Sequence, residues 1–225
     1  IVSDNQQSYR KVLNATSLFG GVQVINIIIS LVRSKVIALL IGPFGMGISS
    51  LLLSTMQLIN GVTNLGLERS AVKDISLANN DSNSQDVAKT ISVLKKLVWL
   101  TITIGVILMI ALSPWLSEIA FGNKDYTISF IWISIALLFK QLSSSQLAIL
   151  QGLRKLKSLA KANLLGNFIG LLITLPLYYF FRIDAIVPAI IIATFMSFVF
   201  TYYYSNQIPI DQVSVSRMEA ISEGK

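Results

Sequence analysis

Long apolar runs, each close to the length of a bilayer crossing, alternate along this chain with short polar links. A hydrocarbon core of about 30 Å takes roughly 20 mostly apolar residues in a helix. Six stretches meet that measure, at about 13–41, 44–66, 93–116, 127–150, 162–181 and 186–204. The pattern therefore predicts an all-α integral membrane protein with six transmembrane helices filling residues 1–204. Residues 205–225 form a polar tail in which a helix is expected to start near Ser214.

The links carry their own signals. Between the first two runs, Gly42-Pro43-Phe44-Gly45-Met46-Gly47 is rich in helix breakers and predicts a tight reversal. It follows a helix and not a strand, so it does not fit a phosphate-cradling loop. The 67–92 link is the one long polar connection before the tail, with the turn-forming run Asn79-Asn80-Asp81-Ser82-Asn83-Ser84 near its middle. Its first half places Leu67, Ala71, Ile75 and Ala78 at helical spacing, which predicts a short amphipathic helix lying on the membrane surface. Gly152 and Gly166 read as helix-end and packing residues. No secretory signal stands at the front, and an initial Ile suggests numbering that begins inside a longer gene product.

Composition sharpens the picture. Of 225 residues, 53% are apolar and 13% charged, against the roughly 25% charged of a soluble domain. The chain has no cysteine and no histidine. That removes disulfide frameworks, Cys/His zinc sites, nucleophile–histidine catalysis and histidine pH switching. The net charge of +7 would suggest nucleic acid if it were clustered on a soluble surface, but its distribution is that of a membrane protein. No nucleic-acid partner, metal or cofactor is expected.

Sorting the 18 Lys and Arg residues by side gives the orientation. The N-terminal segment, the second and fourth links and the tail hold 13 of them, whereas the opposite side has only Lys124 and Arg182. Both termini are predicted to be cytoplasmic. The remaining three, Arg33, Lys35 and Lys140, fall inside spans.

A charge near mid-bilayer costs several kcal/mol, so it usually marks a pathway or a paired site. All three intramembrane charges are basic, and no Asp or Glu lies well within a span. Lys140 sits near the middle of span four, with Ser143 and Ser144 one turn on. It reads either as a structural lysine bonded to helix carbonyls or as a cation lining a polar cavity. Arg33 ends a stripe in span one that runs Gln23, Asn26, Ser30, Arg33. Span two has a matching row in Ser50, Ser54, Gln57, Gly61 and Asn64. A water-lined face is expected for these two. For the polar row of span five, Asn163, Asn167, Gly170 and Thr174, helix–helix hydrogen bonding and small-residue packing are expected. Lys35 is about 200° round the helix from Arg33, and snorkels to the outer surface. A cationic cavity without acid favours an anion, with Arg suited to bidentate phosphate binding and Lys acting as a point charge. Aromatics such as Trp99, Trp115, Trp132, Tyr179 and Tyr202 sit near span ends as interface anchors.

The first two spans, from Ala15-Thr16-Ser17-Leu18-Phe19 through Arg33-Ser34-Lys35 to Gly42-Pro43-Phe44-Gly45-Met46-Gly47, together with Gly61-Val62-Thr63-Asn64-Leu65-Gly66-Leu67, resemble the opening of Wzx-type O-antigen flippases. Phe121-Gly122-Asn123-Lys124-Asp125-Tyr126 and Gln151-Gly152-Leu153-Arg154-Lys155 stand where that family has similar short stretches. The resemblance places the chain in the multidrug/oligosaccharidyl-lipid/polysaccharide exporter superfamily. It implies one six-helix lobe of a two-lobe transporter working by alternating access, with residues 205–225 leading to a second lobe. It further implies a polyprenyl-pyrophosphate-linked oligosaccharide as substrate, a bacterial inner membrane location, and a polysaccharide polymerase as partner. Arg33 and Lys140, and less directly Lys35, are the cavity cations it would carry over. Gln23, Asn26, Ser30, Ser54, Gln57 and Asn64 are the polar residues expected to line that cavity.

Three other readings stay open at this level. A drug/cation antiporter of the same superfamily would be expected to carry an intramembrane acid. A polytopic polyprenyl-phosphate-processing enzyme needs acidic residues to bind metal or act as base, yet Glu68, Asp74, Asp81, Asp86, Glu118, Asp125 and Asp184 form no tight constellation. A stand-alone six-helix protein could instead dimerise to rebuild two lobes.

Overall fold

The computed structural model describes residues 2–80 and 84–208, with side chains from Gly20 to Asn80 and from Gln85 to Ile208. The expected helix near Ser214, the side chains of 13–19 and the middle of the 79–84 turn run lie outside the described residues. The described residues are almost wholly helical. They form α1 (Val2–Asn64), α2 (Leu67–Asn80), α3 (Ser84–Ala111), α4 (Ser113–Phe121), α5 (Thr127–Gly152), α6 (Leu156–Phe181) and α7 (Ile186–Asn206), with a 3-10 turn at Arg182–Ala185.

Among the described residues, four continuous apolar segments are long enough to cross a membrane: Gly20–Asn64, Gln85–Ala111, Thr127–Gly152 and Leu156–Asn206. The first and last have 45 and 51 residues. As straight helices they would run to roughly 70 Å, more than twice the bilayer core. Each is interrupted near its middle. In α1 the break is a single residue, Gly42, with φ 69° and ψ −179°. Pro43 disfavours helical geometry in the residue before it, and glycine alone takes a positive φ at no steric cost. The two arms fold back: Ile41 packs in one core cluster with Ile48, Leu52 and Met56. In the last segment the 3-10 turn separates α6 from α7, which form the most extensive helix pair of the fold. Six apolar helical arms therefore make up the body.

Small residues set the closest approach. A Cβ on Gly166 would lie 2.9 Å from the Cα of Ser197, and one on Gly170 3.5 Å from the Cα of Ala193, so α6 and α7 meet nearly backbone to backbone. Between α5 and α7, the hydroxyls of Ser143 and Ser197 are 3.0 Å apart, and Thr201 Oγ1 donates to Ser143 Oγ at 3.3 Å.

The amphipathic segment after α1 is a helix, but protein covers its apolar face. Ala71 and Ile75 of α2 are buried in a cluster with Ile91 and Leu94 of α3 and Ala148 and Ile149 of α5. The absent side chain of Gly152 lets Ile75 in, since a Cβ there would come within 2.7 Å of the Ile75 Cβ. α2 is a strut against the bundle and not a free raft on the surface. Span three also differs from its expected range of 93–116. Its helix begins earlier, at Ser84, and stops at Ala111, where Pro114 starts the separate helix α4. Apolar content marks where lipid begins, but a helix continues through its charged first turns. Likewise α6 starts at Leu156, ahead of the expected 162.

The Gly42 break, the Arg182–Ala185 turn and Asp184 beside Tyr126 gather at one end of the bundle. α2 and Leu153 gather with Ile208 at the other.

Candidate functional site

A cavity of about 240 Å³ is set into the bundle, open on the side of the exposed Gln57 and Lys140, and is lined by both arms of α1 and by α5, α6 and α7. Arg33 enters from the first arm of α1, and Gln57 and Asn60 from the second. On a continuous helix Arg33 and Gln57 would be about 36 Å apart, so the reversal at Gly42 is what creates the site. Lys140 comes from α5, and Asn167, Thr174 and Tyr178 from α6. Two of the three intramembrane cations thus share one cavity.

Its polar groups are only partly paired. Arg33 donates through Nη2 to the backbone carbonyl of Asn167 at 3.3 Å. Its Nε is buried and has no partner, and the same holds for Asn60 Oδ1. Asn167 Nδ2 donates to Asn26 Oδ1 at 3.1 Å and to Asn163 Oδ1 at 3.0 Å, clamping the first arm of α1 to α6. The expected role of the span-five row, hydrogen bonding between helices, is thus performed by Asn167. The wall offers a donor without an acceptor, an acceptor without a donor and a lysine whose side chain is exposed. No Asp or Glu is among the lining residues. Among the described residues no group of three His, Cys, Asp or Glu could hold a metal.

Other expected residues lie elsewhere. Lys35 is exposed and does not line the cavity. Gln23, Ser30 and Ser54 are exposed on the outside of this bundle. Asn26 is half-buried and spent on Asn167. Asn64 donates to Glu68 Oε1 at 2.8 Å, a local bond joining the end of α1 to the first turn of α2. Ser143, expected on the face of Lys140, is buried in the α5–α7 seam.

The polar residues that sequence reasoning did not single out are Ser49, Asn60, Thr194 and Ser197; Asn167 and Thr174, expected to serve helix packing, line the cavity too, as does Tyr178. Along the second arm of α1 the inward row is Ser49, Leu53, Met56, Asn60, one residue ahead of the polar row 50, 54, 57, 61, 64. Gln57 belongs to both. The inward row has two apolar residues between its polar ends and so carries no strong polar signal.

The fold and cavity define an all-helical membrane protein with a site that is cationic and free of carboxylate. The family model described as polysaccharide biosynthesis protein matches residues 12–215, and the chain belongs to that family. No curated protein and no solved structure matches it.

Proposed function

We propose that this chain is one lobe of a flippase for a polyprenyl-pyrophosphate-linked oligosaccharide, an O-antigen unit or a similar surface polysaccharide repeat. It carries the unit from the cytoplasmic to the outer leaflet of a bacterial inner membrane by alternating access, with both termini cytoplasmic. The observation that carries this reading is the joint presence of Arg33 and Lys140 on a cavity without a lining carboxylate. Holding such charge within a membrane protein costs several kcal/mol, a cost that an anionic ligand would offset. The unpaired Arg33 Nε and Asn60 Oδ1 supply a donor for phosphate oxygen and an acceptor for a sugar hydroxyl. Membership in a polysaccharide biosynthesis family supports the substrate class.

A second lobe is part of the proposal. Gln23, Ser30, Ser54 and Gln57 are exposed along α1, as is Lys140 on α5, and such a face is poorly suited to lipid. Facing a partner lobe across a hydrated cleft, it would extend the cavity enough to admit the glycan, for which about 240 Å³ is too small. The lipid tail stays in the bilayer while the lobes rock. Transport involves no bond making, so no catalytic residue is assigned, and a polysaccharide polymerase is the natural downstream partner.

The test uses cells lacking the full-length gene and measures which leaflet holds the lipid-linked glycan. Accumulation on the cytoplasmic leaflet with loss of surface polysaccharide is expected. An unchanged distribution would refute the reading and turn attention to drug or cation export.

A further inference from the structure

We propose that a second site, a lateral groove between α3 and α7, binds the phosphate headgroup of an anionic phospholipid from the adjoining leaflet. α3 and α7 each pack on α5 but hardly on one another. The gap between them is about 590 Å³, with α5 as its floor. It is separate from the Arg33 cavity, which α3 does not line.

The groove has a graded chemistry. Gln146 lies on the floor and is only 7% exposed. Its amide can offer both a donor and an acceptor to a ligand in the groove. Lys95 stands exposed at the rim and is the one charged lining residue, with no Asp or Glu opposing it. One turn further along α3, Trp99 also lines the groove, as does Tyr202 of α7; both are exposed. Amphipathic rings of this kind favour the headgroup level of a bilayer. Val98, Leu142 and Phe198 supply apolar surface. A cation and an amide next to aromatic and aliphatic surface match the order of groups in a phospholipid: phosphate, glycerol, acyl chain.

The position argues for lipid over a soluble anion. The groove lies toward the end of the bundle where α2 and Leu153 meet Ile208, and Ile208 itself lines it. Arg69, Lys73, Lys89, Lys95, Lys96, Arg154, Lys155, Lys157 and Lys161 belong to that end of the sequence pattern, a concentration that attracts anionic lipid.

The test reconstitutes the full-length protein in phosphatidylcholine vesicles containing a minor fraction of brominated phosphatidylglycerol or, in parallel, brominated phosphatidylcholine. Bromine quenches nearby tryptophan. The Trp99 contribution is the difference between the parent and Trp99→Phe. Quenching by the anionic lipid is expected to show about a fivefold preference over the zwitterionic one, the scale of one lysine near a charged surface. Lys95→Ala and Gln146→Leu should each reduce the preference, and Lys95→Arg should retain it. Equal quenching by the two lipids, or a preference that survives both substitutions, overturns the proposal. Loss of the preference in millimolar inorganic phosphate would assign the groove to a soluble anion and overturn the lipid reading. None of these readouts depends on export, so the outcome is independent of the flippase test.

Discussion

Gly166 offers the most direct test of the helix packing. Its neighbour across the α6–α7 seam is the backbone of Ser197, with a Cβ at 166 landing 2.9 Å from the Ser197 Cα. Ordinary carbon contacts lie at about 3.5–4.0 Å, so alanine must push the helices apart by roughly 0.6–1.1 Å. Ser197 is poorly placed to yield, because its hydroxyl pairs with Ser143 of α5 at 3.0 Å and its carbonyl accepts from Thr201 Oγ1 at 2.9 Å. Overpacking of this kind costs about 1–3 kcal/mol, against a helix-propensity gain of about 1 kcal/mol for Gly→Ala. Gly166→Ala should therefore be destabilised by about 0–2 kcal/mol, and Gly166→Val, which adds two more carbons to the seam, by about 3 kcal/mol. At about 2–4 °C per kcal/mol the valine variant should melt roughly 6–12 °C lower. Gly47 is the control: it is helical, and a Cβ there meets nothing within 4 Å. Gly47→Ala should be neutral or slightly stabilised. Thermal unfolding of the detergent-solubilised full-length protein, followed by the surviving monodisperse fraction after heating, measures all three. If Gly166→Val survives as well as Gly47→Ala, the close approach of α6 and α7 is wrong.

Three further outcomes follow from the cavity and the reversal. Arg33→Gln should reduce glycan export at least tenfold, while Lys35→Ala, exposed and off the cavity, should leave it near the parent level in a surface-polysaccharide assay. Asn60→Asp introduces a carboxylate into the cavity; it should abolish export with normal protein abundance, and intact export would refute an anion site. Gly42→Ala meets no steric neighbour but must hold φ near 69° with ψ near −179°, a region almost confined to glycine, so a stability loss of about 1–3 kcal/mol is expected in the same thermal assay.

The six apolar arms were legible in the sequence because lipid demands length and hydropathy, and neither depends on what the helix touches. The break at Gly42 was legible for the same reason: Gly-Pro constrains the backbone whatever surrounds it. Which side of α1 faces inward was not. Ser54 and Asn60 are equally polar, and only the rotation of the arm against α5, α6 and α7 separates the exposed one from the cavity one. α2 shows the same limit. Its apolar stripe was plain, but a stripe cannot say whether lipid or α3 and α5 covers it. Arg33 and Lys140 stood out as intramembrane charges, and their meeting in one cavity depends on the fold. Gln146 gave no signal, since the groove it floors exists only once α3 and α7 are packed on α5.

The one-residue reversal at Gly42 also bears on how the chain reaches the bilayer. With Pro43 already starting the second arm, there is no intervening loop to be carried across by itself. Two arms so joined are expected to enter the membrane together, as a hairpin. The penalty for inserting Arg33 then falls on the pair and not on a lone first helix that would have to admit a guanidinium unaided. Lengthening the turn with polar residues would uncouple the arms, leaving the first to insert alone with its charge.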